Sequence, residues 1–381
     1  MPMDVFAVAD LLTRHALQTC PDQIDLVGYY GSHAQGTATE RSDLDIFYVP
    51  ADGAQPPIHR SILIDGVLFD FWGISWATLE GFALGTVRGW ALAPALVWHT
   101  QTLHVRSGEA AARLAALKRR IAHLQTTEAR PEMIRRALAA FPMTLAHLGN
   151  LRLASAEGEI SDVRYAVWQF LGAVLESLAL LNQRFLSRGY ADLLTQTREW
   201  TSLPEHFADR LLLLISTEDR ALILNIAERL AVETRRLLRA AQATLPPEET
   251  TPDFLGGAYP ELRGTFDKAV SLAERGDIAG TSATVRAGQY ELARMLAGLT
   301  GSGWDGNFHR YGELAERYRE LDLPDLMALR ADNLDVLAAA VRLLDEEWRQ
   351  WLRAKFVPIP EFETLEDFRR SLDDTDQSNQ S

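Results

Sequence analysis

The sequence predicts an α+β N-terminal domain, a small mixed sheet with flanking helices, followed by an all-α helical region. Three observations carry that expectation. Up to about residue 107, apolar runs of strand length alternate with turn residues. Within that zone Asp65-Gly66 separates two such runs, the signature of a tight hairpin. From Glu109 onward, long alanine- and leucine-rich segments take over, broken by clusters of Gly, Pro, Ser and Thr.

In chain order, Val5 to Gln18 reads as an amphipathic helix, because Val5, Val8, Ala9, Leu12 and Ala16 recur near helical spacing. Ile24 to Tyr30 is a short apolar run ending at a glycine, the form of a buried strand; Leu44 to Val49 is another, stopped by Pro50. Ser61 to Ile64 and Val67 to Trp72 are the hairpin arms, and Leu103 to Arg106 adds a last strand. The helices expected next are Glu109 to Gln125, Pro131 to Ala154, Val163 to Ser187, Glu205 to Ile215 and Arg220 to Ala243. Thr244 to Pro252, rich in proline and acid, reads as a linker. A second helical group spans Pro260 to Leu299, then Leu323 to Lys355, then a short helix at Leu365 to Ser371. The expected domains are 1–107, 108–245 and 253–372, with a polar, disordered tail at 373–381.

Of 381 residues, 47% are apolar and 24% charged, the balance of a globular protein. No stretch approaches the ~18 uninterrupted apolar residues of a membrane span, and Met1-Pro2-Met3-Asp4 is not the start of a secretory signal. The single cysteine, Cys20, excludes an intramolecular disulfide and a cysteine-rich metal site. A cytoplasmic setting is expected, with no membrane partner. The net charge of −14 makes double-stranded DNA a poor partner, since affinity there comes from cations neutralising phosphates.

Val27 to Val49, VGYYGSHAQGTATERSDLDIFYV, is the segment that carries chemistry. A strand ends at Gly31-Ser32, where glycine lets the backbone turn sharply and approach a ligand. The next residues can begin a helix whose free N–H groups favour phosphate, and the serine hydroxyl adds a donor. Ten residues separate Ser32 from Asp43, and Asp43-Leu44-Asp45 then runs into Ile46-Phe47-Tyr48-Val49. Alternation on a strand puts Asp43 and Asp45 on one face, with Leu44 and Ile46 turned to the core. Two adjacent carboxylates repel unless a hard cation lies between them. Magnesium suits such a place, taking few carboxylates and filling its other positions with water and phosphate oxygens.

Gly31-Ser32, ten residues, then Asp43-x-Asp45 resembles the motif of the DNA-polymerase-β-type nucleotidyltransferase superfamily. Gly36 and Ser42 look like those of its small members, which include aminoglycoside-modifying enzymes and the minimal nucleotidyltransferases of toxin–antitoxin pairs. The resemblance covers about the first hundred residues. It implies a nucleotidyltransferase fold in which Gly31 and Ser32 hold the phosphates of a nucleoside triphosphate; Ser42 is expected to join them, and Arg41 to contact phosphate or nucleotide. It implies further that Asp43 and Asp45 hold two magnesium ions, joined by a third carboxylate on a later strand, for which Asp70 is the match. A lone acid inside Val67 to Ile74 is costly unless paired or metal-bound; Asp65, in the turn, needs no function to explain it. The helical remainder has a precedent in the antibiotic-modifying branch, and Leu180 to Leu186 looks like an LNxRY/F helix of such bundles.

The expected reaction is transfer of a nucleoside monophosphate, ATP being the first candidate donor, to an acceptor hydroxyl. A small-molecule acceptor such as an aminoglycoside leads, with a protein or tRNA acceptor next. The base that takes the hydroxyl proton is Asp70 or a glutamate of the helical region, Glu128, Glu132 or Glu176. The rival reading is a regulatory, antitoxin-like protein that binds a protein or tRNA partner. No histidine lies five to seven residues after an arginine, as the ribonuclease motif of the associated helical toxins requires. Lys118-Arg119-Arg120 reads as one exposed helix face, His99 and His104 lack partners at metal spacing, and Trp304 to Tyr311 is an aromatic, polar loop.

Overall fold

A computed structural model describes residues 4–245, 251–297 and 315–378. The chain divides into two compact units, residues 1–245 and 246–381.

The first unit opens with α1 (Val5–Thr19), capped by Asp4, whose carboxylate accepts from the N–H groups of Phe6 and Ala7. Five strands follow around two short helices: β1 (Ile24–Tyr30), β2 (Leu44–Pro50), β3 (Arg60–Ile64), β4 (Val67–Gly73), α2 (Trp76–Leu84), α3 (Pro94–His99) and β5 (Gln101–Val105). They form one mixed sheet in the order β3-β4-β2-β1-β5, with β2 and β4 parallel and the other pairs antiparallel. The hairpin is made as expected: Asp65 (φ 51°) and Gly66 (φ 79°) both take left-handed backbone, the turn that matches the strands' twist.

Strand alternation divides the core in two. Leu44, Ile46, Phe69 and Phe71 pack under α1 with Ala9, Leu12 and Ala16. Leu26, Phe47 and Val49 face the other way, against α2 and the helices beyond it. Both faces of β2 are therefore buried, and full burial of a side chain such as Phe47 is worth about 1.5–3 kcal/mol. Asp25 is buried as well, accepting from the Trp76 indole (2.9 Å) and from Arg106 Nε (2.9 Å), so β1, α2 and the end of β5 are tied together.

The helices of the first unit continue with α4 (Gly108–Leu124), α5 (Arg130–Glu157), α6 (Ile160–Asn182), α7 (Leu193–Thr197), α8 (Phe207–Ser216) and α9 (Arg220–Gln242). No break in the core falls near residue 107: Leu26 and Phe47 of the sheet share one apolar cluster with Ile121 of α4, Phe170 of α6 and Leu230 of α9. Among the described residues, α6 alone is long and apolar enough to cross a membrane, and it is packed into this core.

Several boundaries differ from the sequence reading. The chain after Ser32 makes a single closed turn over Gly31 to Gly36, not a helix; Gly36 is left-handed (φ 69°) and the Thr37 N–H returns to the Ser32 carbonyl at 2.9 Å. The helix expected to reach Ser187 stops at Asn182. Gln183 adopts left-handed backbone (φ 55°), and its amide donates to the carbonyls of Leu124 and Thr126. Lys118 is half-buried and donates to the Thr100 carbonyl at 2.8 Å, so it does not belong to an exposed basic face.

In the second unit, α10 (Pro252–Glu274) begins before the expected Pro260, which lies inside it. Thr251 is the cap, accepting from the Phe254 N–H, and Pro252 is the first-turn proline, so both start signals lie upstream. Among the described residues, α11 (Ile278–Leu296), α12 (Glu316–Glu320), α13 (Leu334–Ala354) and α14 (Leu365–Ser378) follow, with a short 3-10 helix at Leu326–Ala328. α14 runs past the expected Ser371, since no glycine or proline follows Pro360 to stop it. Its core gathers Tyr259, Phe266, Tyr318, Leu344 and Trp348. The Trp304 to Tyr311 segment lies outside the described residues.

Candidate active site

One row of side chains crosses the sheet. Register pairs Tyr30 of β1 with Asp45 of β2, Asp45 with Asp70 of β4, and Asp70 with Ser61 of β3. Residues in register point to the same face. That face is the one that carries Phe47 and Val49, beyond the edge of the helices that cover it. Sequence alternation thus explains why two acids can stand on a sheet whose neighbouring positions are all core.

Asp45 is half-buried, and its Oδ2 lies 3.2 Å from where a Cβ on Gly31 would stand. Gly31 has φ 80°, so both its backbone and its missing side chain are needed to seat the turn against the carboxylate. Burial, then the charges of Asp43 and Asp70, push Asp45 up to about 6. Asp70 accepts from the Ser61 hydroxyl through Oδ1 at 2.6 Å. Burial, then the charge of Asp45, raises the Tyr30 phenol above its ordinary value.

The expected site residues fall into two groups. Gly31, Ser32, Asp45 and Asp70 come together, and Asp43, exposed just before β2, is close enough to act on Asp45 electrostatically. Ser42 is spent on a local turn: its Oγ accepts from the Thr39 N–H at 2.8 Å and its own N–H bonds the Thr39 carbonyl. Arg41 is exposed on the same turn. Among the three glutamates, Glu128 is on the surface and Glu132 is bound to Arg120. Glu176 is engaged by backbone, its two oxygens accepting from the Trp90 and Ala91 N–H groups at 2.8 Å each. Burial pushes its carboxyl up, and those N–H groups and Arg136 oppose the shift.

Among the described residues, no three His, Cys, Asp or Glu side chains converge as a ready-made metal cage. The donor set nevertheless suits magnesium. Asp45 and Asp70 offer two carboxylates side by side, neither in an ion pair among the described residues, and a hard cation with water and phosphate ligands would relieve the repulsion that Asp70 exerts on Asp45.

A cleft of about 500 Å³ opens beside the row, with Tyr30, Gly31 and Ser32 on one wall. The opposite walls come from the α2–α3 region, with Phe82, Arg88 and Leu96, and from the segment after α6, with Arg188 and Asp192. Gln35 fastens the two sides, donating to the Ser187 carbonyl at 2.8 Å. The LNxRF segment is a junction and not a stretch of helix. Asn182 bonds the backbone of Ser202, the Arg184 carbonyl accepts from the Trp90 indole, and Phe185 packs edge-on to Trp90. Sequence reasoning missed Tyr30 and Arg88; the one available signal was a lone cation in Gly85-Thr86-Val87-Arg88-Gly89, a loop bracketed by glycines.

Residues 111–244 match the family model of the KNTase C-terminal domain, which corresponds to α4 through α9. No curated protein matches the chain. Among solved structures, the chain is similar to a nucleotidyltransferase-like protein from Exiguobacterium sibiricum 255-15, with 12% identity, a TM-score of 0.38, and coverage of 61% of this chain and 75% of that one. The part of the chain similar to a KNTase C-terminal domain thus lies directly behind the mixed-sheet region that bears the glycine–serine turn and the paired aspartates.

Proposed function

We propose that this protein is a magnesium-dependent nucleotidyltransferase that moves a nucleoside monophosphate from ATP to a hydroxyl of a small-molecule acceptor, in a cytoplasmic setting. The observation that carries this reading is the in-register pair Asp45 and Asp70, with Asp45 against Gly31 of a turn that itself lines a cleft. The KNTase C-terminal match supports it.

In this reading Gly31 and Ser32 seat the triphosphate, the first by leaving room and the second through its hydroxyl and N–H. Asp43, Asp45 and Asp70 would hold magnesium, whose contribution when bound is to neutralise phosphate charge and polarise the reacting oxygens. The acceptor oxygen forms a bond to the α-phosphorus, the bond to the β-phosphate oxygen breaks, and pyrophosphate leaves. Of the four carboxylates considered for the hydroxyl proton, Asp70 alone stands beside Asp45, and its Oδ2 is not engaged by Ser61. Tyr30, Phe82 and Leu96 give one side of the cleft an apolar lining.

Charge supports a narrower reading of the acceptor class. Asp192 is the one acid on the cleft wall, and Arg188 neutralises it at 2.6 Å. A polycationic aminoglycoside therefore meets no uncompensated carboxylate there, although the net charge of −14 would draw it in from a distance. Neutral hydroxylated acceptors suit the cleft better.

The test is a pyrophosphate-release screen over four nucleoside triphosphates, with and without magnesium, against neutral and aminoglycoside acceptors, tRNA and protein. Release by wild type that Asp45→Ala abolishes supports the reading. The second reading is a regulatory protein that binds a protein or tRNA partner without turnover. Nucleotide binding without release under any acceptor, together with a stoichiometric partner, would select it.

A further inference from the structure

We propose that Arg88 is the phosphate-gripping cation of the cleft, reaching the β- and γ-phosphates of the bound nucleotide and the pyrophosphate formed from them. The inference rests on the nucleotidyltransferase reading above and adds to it a residue outside the glycine–serine and aspartate motifs.

The first argument is a charge inventory. The charged side chains lining the cleft are Arg88, Arg188 and Asp192. Arg188 and Asp192 satisfy each other at 2.6 Å. Arg88 makes no ion pair among the described residues; its guanidinium lies 5.6 Å from the centroid of the Phe82 ring. The wall that faces Gly31 and Ser32 thus carries one uncompensated positive charge, in a protein whose net charge is −14. A cation in that position lacks a counter-ion, and the occupant supplies it.

The second argument is backbone. Helix α2 ends at Gly85 in left-handed conformation (φ 67°), and Arg88 itself has φ 61°. Left-handed backbone disfavours a residue with a Cβ, and a loop that only had to turn would gain by placing glycine or asparagine there. Non-glycine residues held in such regions concentrate where a side chain is required.

The third argument is how firmly the loop is held. On its near side, the Thr86 and Val87 N–H groups both bond the Gly81 carbonyl, at 2.9 and 3.1 Å. On its far side, Glu176 receives the Trp90 and Ala91 N–H groups, and the Trp90 ring is fully buried with its indole N–H on the Arg184 carbonyl at 3.0 Å. Gly89 has no side chain because Glu176 Oε2 would sit 2.7 Å from its Cβ. Both ends are clamped and the tip is exposed, so Arg88 is presented to the cleft at little further cost in order.

The experiment is calorimetric titration of the full chain with magnesium–ATP, magnesium–pyrophosphate and adenosine. The proteins compared are wild type, Arg88→Met, Arg88→Lys and Arg88→Gly. Arg88→Met should weaken ATP and pyrophosphate by roughly tenfold or more, the usual loss of a charge-assisted hydrogen bond, and leave adenosine unchanged. Arg88→Lys should recover part of the loss. Arg88→Gly should bind as poorly as Arg88→Met yet melt at a higher temperature, which separates lost contact from lost fold. ATP and pyrophosphate binding by Arg88→Met within twofold of wild type overturns the assignment alone. So does an equal loss for adenosine, which would place Arg88 on the base. Failure of wild type to bind any nucleotide overturns both this inference and the reading it rests on.

Discussion

Replacing Asp45 with asparagine should make the metal-free protein more stable while removing its magnesium-dependent nucleotide binding. The side chain keeps its shape and loses its charge. In the folded protein Asp45 sits up at about 6, against an ordinary value of 3.8, because burial and then Asp43 and Asp70 oppose its ionisation. A rise of that size corresponds to about 3 kcal/mol; Asp45 is only half-buried, and solvent screening reduces this to about 1–2 kcal/mol. The native state holds the Asp45 proton more tightly than the unfolded chain does. Its stability contribution is therefore full below about pH 4 and lost as pH rises through about 6. Urea denaturation followed by tryptophan fluorescence, in chelator, should show Asp45→Asn more stable by about 1–2 kcal/mol at pH 7.5, with the gain vanishing near pH 4. A gain of the same size at both pH values, or a less stable variant at pH 7.5, would refute the reasoning. Stability gained where function is lost marks a strained site.

Three further outcomes are expected. Gly31→Ala must hold alanine at φ 80° with its Cβ 3.2 Å from Asp45 Oδ2, so it should cost about 1–2 kcal/mol and weaken ATP binding. A thermal melt and a titration check both, and an unchanged melting temperature would count against the turn's role. Glu176→Ala leaves two backbone donors without acceptors and should cost about 2–4 kcal/mol by urea denaturation. If Glu176 were the catalytic base, Glu176→Gln would remove the ionising limb of the pH profile of kcat/KM; that limb should persist. Asp25→Ala strips the acceptor from Arg106 and the Trp76 indole and should cost about 3 kcal/mol, the scale of a broken buried ion pair; a loss below 1 kcal/mol would argue that water replaces the carboxylate.

The sheet and its acids were legible because local rules and tertiary packing agree there. Asp65-Gly66 names its own turn, and Asp45 between Leu44 and Ile46 can face only one way once those two are buried. Asp70 stood out as a lone charge in an apolar strand, and its partner in register proved to be Asp45. The less legible parts depend on distant chain. Nothing local says that α6 ends at Asn182; the reason is a Gln183 amide bonded to carbonyls some sixty residues earlier. Helices α2 and α3 escaped notice because they are short, and α2 is buried at Trp76, Leu79, Phe82 and Ala83, leaving no polar stripe to reveal its period. Arg88 left only the faint signal of a lone cation between glycines, because the case for it rests on backbone angle and on the absence of an ion pair among the described residues. Ser42 also serves the turn beside it, which its position next to Asp43 does not reveal.

The bonds from α6 and its exit segment to residues 90 and 91 restrict how this protein can be recombined. The Trp90 and Ala91 N–H groups are satisfied by Glu176, the Ala91 carbonyl by Leu186, and Gln35 reaches to Ser187. A chimera that joined this sheet to a foreign helical partner at residue 107 would orphan all of those groups at once, next to the cleft. Splicing at the residue 245 boundary leaves every one of them intact, so exchange of modules between homologues should succeed there and fail at the earlier joint.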